Sequence, residues 1–251
     1  MIPSGTEGTS TMRTLTTTAR AGVLAATAGA LLFTGVAAQG TAVAAPQGKP
    51  AKLTVAAYRD YLKHKDVKTL KAFDKLPKAK QQKFVVYLQS AAVTKAFNVK
   101  VGGVLGKNGH AEVVYNNDIR FVGDARSTVV DDSHGIHRVT VNFTATERIY
   151  GIPVVTQKTT LAYVFDDFRP KPQVVGKPSV RSAVTNLNAA FGINAPKSTV
   201  AVKNRTTVVG AVAWKATPKY KSASSAAITK RQTITGTHGA TDKFTAVLAK
   251  S

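Results

Sequence analysis

Val139-Thr140-Val141-Asn142-Phe143-Thr144-Ala145-Thr146 alternates apolar and polar side chains without a break. In an extended strand successive side chains point to opposite faces, so Val139, Val141, Phe143 and Ala145 share one face and the Thr and Asn side chains share the other. A helix would scatter the same residues around its axis. The stretch therefore reads as a strand with one buried face, the pattern of an antiparallel sheet. Beyond Gly151-Ile152-Pro153, which reads as a bend, Leu161, Tyr163 and Phe165 alternate in the same way. Two long strands so closely joined are expected to be antiparallel neighbours.

Towards the N-terminus, residues 112–115 and 119–122 flank Asn116-Asn117-Asp118, a credible hairpin whose turn residues tolerate left-handed backbone. Gly102, Gly103, Gly106 and Gly109 mark a loop or hairpin, and a subdomain boundary is placed near residues 98–110. Before it the apolar period lengthens to about 3.6, so residues 54–97 read as a helical subdomain. Thr54 can cap a helix carrying Val55, Tyr58 and Leu62, and Asp66 a second carrying Val67, Leu70 and Phe73. Pro77 suits the first turn of a third, with Phe84, Val85 and Leu88 on one face, and a short fourth piece covers residues 91–97.

Towards the C-terminus, Pro170, Pro172 and Pro178 imply an extended connection or edge. Ser179 then reads as the cap of a helix near residues 180–191, with Val180, Val184, Leu187 and Phe191 on one stripe and Gly192 as its stop. Strand patterns return from Val200 onward, and residues 218–227 form a loop rich in Lys, Ser and Ala. The expected class is α+β: an N-terminal helical segment packed on an antiparallel β-sheet or sandwich that is interrupted by one helix, with residues 98–251 as the β-rich domain.

Residues 1–44 read as an export signal. Arg13 and Arg20 precede an apolar stretch over residues 21–38, and Ala42-Val43-Ala44 supplies the small residues that signal peptidase needs, which places cleavage before Ala45, with Val36-Ala37-Ala38 as the competing site. A membrane anchor is the competing reading, but the stretch is diluted with Gly and Thr and short of the roughly 20 strongly apolar residues of a span. No transmembrane segment is expected after cleavage. Met12 competes with Met1 as the start, and residues 45–53 form a flexible lead-in. The Ala-rich leader and the abundance of Ala, Val, Thr and Gly resemble secreted proteins of actinobacteria. The resemblance rests on leader and composition alone; it implies a secreted, extracellular location and assigns no activity.

Thirty-five Lys and Arg against 13 Asp and Glu give the chain a net charge of +22, and residues 45–251 keep 33 against 12 of these. The excess is uneven: residues 49–100 hold 13 basic and 3 acidic residues, residues 101–168 hold 6 and 8, and residues 169–251 hold 14 and 1. Such segregation points to basic faces rather than to a uniform coat, and to an anionic partner: a wall polymer, an anionic membrane surface or an acidic secreted protein. The residues expected to carry the attraction are Lys78, Lys80 and Lys83 of the third helix with Lys219, Lys221, Lys230 and Arg231. Zinc-finger spacing, an aromatic string and a long Arg-rich tract are all missing, so dedicated nucleic-acid binding is not expected.

The chain has no Cys, which excludes disulfides, thiolate metal sites and a Cys nucleophile. No Gly-x-Ser-x-Gly elbow or Walker loop occurs, and no cofactor is expected. The densest polar cluster is Asp131-Asp132-Ser133-His134-Gly135-Ile136-His137, in which Asp131, Asp132, His134 and His137 are candidate metal ligands. The competing account is a turn between strands, with Asp, Ser and Gly supplying turn chemistry. Asp166-Asp167 could pair with Glu147 or Asp124 for glycoside hydrolysis, though a polar strand end explains them as well. Sequence alone thus points to a secreted basic non-enzymatic binding protein acting at or beyond the bacterial cell wall, as a subunit or adaptor of an extracellular assembly. A secreted hydrolase or toxin using residues 131–137 is the second reading.

Overall fold

In the computed structural model, which describes residues 48–132, 134–238 and 242–251, the alternating stretch lies in a long strand, Ile136–Ile149. Val139, Val141, Phe143 and Ala145 are buried and Thr140, Asn142 and Thr144 half-buried. The export signal, its cleavage site and the first residues of the lead-in lie outside the described residues.

Among the described residues, four helices precede ten strands: α1 (Val55–Lys65), α2 (Val67–Asp74), α3 (Lys78–Leu88) and α4 (Ala91–Ala96), then β1 (Val99–Val104), β2 (Asn108–Val114), β3 (Ile119–Asp131), β4 (Ile136–Ile149), β5 (Ile152–Asp166), β6 (Gln173–Asn186), β7 (Phe191–Lys203), β8 (Thr207–Pro218), β9 (Ile228–Thr237) and β10 (Lys243–Lys250). Sheet I has the order β1-β10-β9-β8-β7 and sheet II the order β2-β3-β4-β5-β6. Every pairing is antiparallel, and within each sheet the paired strands are consecutive in sequence except where β1 closes against β10. β1 also touches β2 and β6 touches β7, so the sheets meet along both edges.

Between the sheets lies one apolar core to which both contribute, including Phe121, Phe143 and Leu161 from sheet II and Val212, Trp214, Ile234 and Phe244 from sheet I. A polar tie crosses it. Gln232 Oε1 accepts from Trp214 Nε1 at 2.8 Å and from Thr159 Oγ1 at 2.9 Å, while Gln232 Nε2 donates to the carbonyls of Phe143 and Gln157. One close approach needs glycine: a Cβ on Gly236 of sheet I would lie 2.5 Å from the Tyr163 hydroxyl of sheet II.

The helices cover one end of the sandwich. Asp66 caps α2 by accepting from Lys68 N and Thr69 N, and Thr54 and Ser90 cap α1 and α4. Tyr58, Phe73 and Phe84 pack ring to ring at 5.1–5.6 Å and are fully buried. Polar contacts dock this layer on the strand ends: Tyr61 donates to Asn186 O, Asn188 donates to Leu88 O, and Lys221 N donates to Pro50 O. Covering this end leaves the other to the loops after β1, β3, β5, β7 and β9.

This architecture corrects the expected α+β class. Among the described residues the protein is mostly β, with 56% in strands and 18% in helices, and its helices are few and short. The helix expected near residues 180–191 is instead the second half of β6 and the loop leading to β7. A spacing of four serves both periods, since Val180 and Val184 share a helix face and also a strand face. In the structure Val180 pairs with Leu161 and Val184 with Gln157, and Ser182 between them pairs with Thr159. Asn186 then turns the chain by donating to Phe191 O and accepting from Asn188 N. Among the described residues no helix is long and apolar enough to cross a membrane.

Candidate functional site

The five strands of sheet I contain eight Lys and Arg residues and no Asp or Glu. Strand alternation divides the eight. Lys230 points inward with Gln232, Lys250 is exposed at the end of β10 in the same row as Lys230, and Lys100, Lys197, Lys203, Lys215, Arg231 and Lys243 are exposed on the outer face. Register places them in rows across the strands. Lys197 and Arg231 stand on either side of Ala213, with Thr199, Thr233 and Ala211 in the next row and Lys203, Thr207, Thr237 and Lys243 in another. At the usual strand spacing of roughly 4.8 Å, the Lys197 and Arg231 backbones lie about 10 Å apart. Long cationic side chains thus rise from a floor of Thr and Ala. A shallow depression of about 140 Å³ between them is lined by Lys197, Thr199, Ala211, Ala213 and Arg231. None of these six outer-face cations forms an ion pair among the described residues.

Sheet II differs. Its strands carry seven basic and five acidic residues. Arg120 pairs with Glu112, and His110 Nδ1 lies 2.7 Å from Asp124.

The residues expected to bind by charge are scattered by the fold. Lys78, Lys80 and Lys83 are exposed on α3, where Lys83 is paired with Asp118 at 2.7 Å and Lys80 lies over the Tyr150 ring at 5.3 Å. The Asp118 hydrogen bond raises the Lys83 pKa above the ordinary lysine value. Lys219 and Lys221 are exposed in the loop after β8, and Arg231 lies on the outer face of sheet I. Lys230 is the exception: 4% exposed, it donates to the carbonyls of Lys95 and Phe97 at 2.5 and 2.7 Å, so it anchors the end of α4 and offers nothing to a surface partner. The exposed lysines of sheet I lie elsewhere, at Lys100, Lys197, Lys203, Lys215 and Lys243. Their signal was available as the absence of carboxylates from residues 191–238, but only the register shows which side chains share a face.

Glu147 of β4 and Lys230 border a small cavity of about 20 Å³, with Gln157, Phe191 and Trp214 in its wall. That volume suits about one water molecule. Burial pushes the Glu147 carboxyl up to about 7, opposed by attraction to Lys230, and burial lowers Lys230 to about 8. Gln157 Oε1 is buried without a hydrogen-bond partner.

At the loop end three connections converge. Asp131 and His137 flank the β3–β4 turn, Asp167 follows β5, and His238 and Asp242 flank the β9–β10 connection. His137 Nδ1 lies 2.5 Å from Asp131 Oδ1 and its Nε2 2.9 Å from Asp167 Oδ2, while His238 Nδ1 lies 3.0 Å from Asp242 Oδ1. The Asp131 hydrogen bond raises the His137 pKa above the ordinary histidine value, against its partial desolvation. The two imidazoles are 5.1 Å apart, and His238, 8% exposed, stacks on Phe165 at 4.0 Å. One donor atom from each of His137, Asp167 and His238 lies within 4.8 Å of the others.

Of the four ligand candidates in residues 131–137, His137 joins this cluster directly and Asp131 orients it. Asp132 instead builds the turn, its Oδ1 accepting from His134 N and Ile136 N. These bonds hold its carboxyl below the usual carboxylate range. His134 is exposed and does not belong to the three-residue group. Asp166 accepts from Phe168 N and Arg169 Nε and closes its own turn. His238 was one of five scattered histidines in sequence; strand order alone brings it to His137.

Comparison of the chain with protein-family models, with curated proteins and with solved structures finds no match.

Proposed function

We propose that this is a secreted, non-enzymatic binding protein acting at or beyond the bacterial cell wall, and that the outer face of sheet I docks on a phosphate-bearing anionic polymer. One observation carries the reading: six exposed cations share a sheet face whose strands hold no carboxylate, with threonine hydroxyls between them. Long-chain cations gathered on one face suit a line of phosphates, and hydroxyls add hydrogen bonds to phosphate or sugar oxygens. The absence of internal partners leaves these charges available to an external one.

Binding of purified protein to a poly(glycerol phosphate) polymer tests this. Affinity should fall steeply with salt, and Lys197→Glu with Arg231→Glu should weaken it at least roughly tenfold at low ionic strength. Arg126→Glu with Lys158→Glu on sheet II should change it less than about twofold. Salt-independent binding, or equal losses from both faces, would overturn the assignment. Tighter binding to anionic vesicles than to the polymer would replace the polymer with a membrane surface.

A further inference from the structure

The loop end carries the chemistry of a metal site that the charge-driven reading does not use. We propose that His137, Asp167 and His238 bind one divalent transition-metal ion of the zinc class, with Asp131 and Asp242 orienting the two imidazoles.

The donor set comes first. Two imidazoles and one carboxylate match the nitrogen–oxygen preference of zinc, and three protein donors are the number found where a fourth position stays open to water. Asp167 is 40% exposed, so solvent reaches that position. Hard cations such as calcium and magnesium prefer all-oxygen sets of six or more ligands, which this cluster does not offer.

The orientation of the rings is the second argument. A histidine that ligates through one nitrogen commonly has its other nitrogen hydrogen-bonded to a carboxylate or carbonyl, which fixes the tautomer and makes the ligand more basic. Both histidines have that partner: Asp131 on Nδ1 of His137 and Asp242 on Nδ1 of His238. Both Nε2 atoms then become the ligating atoms. The His238 ring is further held by its stack on Phe165, with a 6° angle between the planes. His238 N donates to Thr206 O, tying this connection to the β7–β8 turn.

The fit is close without being closed. The three donor atoms lie within 4.8 Å of one another, whereas a tetrahedral zinc with bonds of 2.0–2.1 Å sets its donors roughly 3.4 Å apart. Entry of the ion replaces the 2.9 Å hydrogen bond between His137 Nε2 and Asp167, moves those two atoms slightly apart and draws His238 inward by up to roughly 1.4 Å. Asp167 stands in a connection between strands, where such a shift does not disturb the sheet.

The full-length protein, purified without an affinity tag, is stripped with chelator and titrated with zinc. One zinc per chain is expected, and His238→Ala and Asp167→Ala should each weaken binding by a hundredfold or more. Asp131→Asn, acting only through His137, should cost tenfold to a hundredfold, in line with the usual effect of removing an orienting carboxylate. His134→Ala and Asp132→Asn should leave affinity within about threefold, a contrast that separates this site from a generic loss at residues 131–137. Cobalt in place of zinc should give the intense visible absorption of a four-coordinate ion, and that band should vanish in Asp167→Ala, whose side chain is exposed. Absence of stoichiometric zinc, or unchanged zinc affinity in both His238→Ala and Asp167→Ala, would overturn the proposal.

Discussion

Sheet I sets eight cations against no carboxylate, whereas sheet II sets seven against five and pairs several of them. Both sheets obey the same alternation and share one core, so the difference is not required by the fold. Surface ion pairs are worth roughly 0–1 kcal/mol, and omitting them costs a sheet little. What the omission changes is the field outside. The sandwich carries an uncompensated positive face on one side, while five of the 12 acidic residues of 45–251 gather at the loop end as Asp131, Asp132, Asp166, Asp167 and Asp242. The polarity also crosses the interior, where the buried cation of sheet I, Lys230, faces the buried carboxyl of sheet II, Glu147.

The largest effect on stability is expected where the sheets are tied. Gln232→Leu fills similar space but leaves Trp214 Nε1 and Thr159 Oγ1 without their shared acceptor. Each buried polar group so stranded costs about 1–3 kcal/mol, so urea unfolding should show a loss of about 3 kcal/mol with little change in slope. A loss under about 1 kcal/mol would mean that the apolar core alone holds the sheets together, and that their polar contrast is confined to the surface.

Alternation at residues 139–146 was enough to read β4, and the same argument reads β5 and the hairpin at Asn116, whose Oδ1 accepts from Asp118 N and Ile119 N. The error at 180–191 has a physical source: β6 is an edge strand paired only with β5, largely exposed, so few of its positions are apolar enough to separate a period of 2 from one of 3.6. The sites follow the same logic. His137 and Asp131 were visible because they are six residues apart, whereas His238 and Asp167 reach them only through the pairing of five strands in each sheet. Lys230 was read as a surface charge because lysine seldom turns inward. The alternation of Ile228, Lys230, Gln232 and Ile234 on one face, all buried, was the available sign to the contrary.

Next in size is a pH effect from the pair inside. Burial raises Glu147 to about 7 from an ordinary 4.5, so between those values the unfolded chain has released a proton that the folded protein still holds. Stability therefore falls as pH rises through that window. Lys230, lowered from 10.5 to about 8, acts in the opposite sense: above pH 8 the unfolded chain keeps a proton the folded protein has lost, and stability rises again. The pair thus contributes a minimum near pH 7–8. Glu147→Gln removes the acid limb, so relative to the parent it should gain about 2 kcal/mol between pH 5 and pH 7.5 in urea unfolding. A difference between the two proteins that does not change with pH would remove the buried acid from the account.

The smallest effect is the one that tests the contrast between the two outer faces most directly. Truncating Arg120 to Ala on sheet II removes the partner of Glu112 and should destabilise by a few tenths of a kcal/mol, roughly 0.3. Truncating Lys197 to Ala on sheet I removes a charge with no opposite neighbour among the described residues, so repulsion within the face is relieved and stability should rise by about as much. Both effects are electrostatic and exposed, and both should disappear in 1 M salt, where the screening length is about 3 Å. Paired thermal melts at low and high salt resolve the signs even where the magnitudes are small. If Lys197→Ala destabilises like Arg120→Ala, then the exposed cations of sheet I are held in local interactions and are not free for a partner, and the proposed polymer-binding face loses its physical basis.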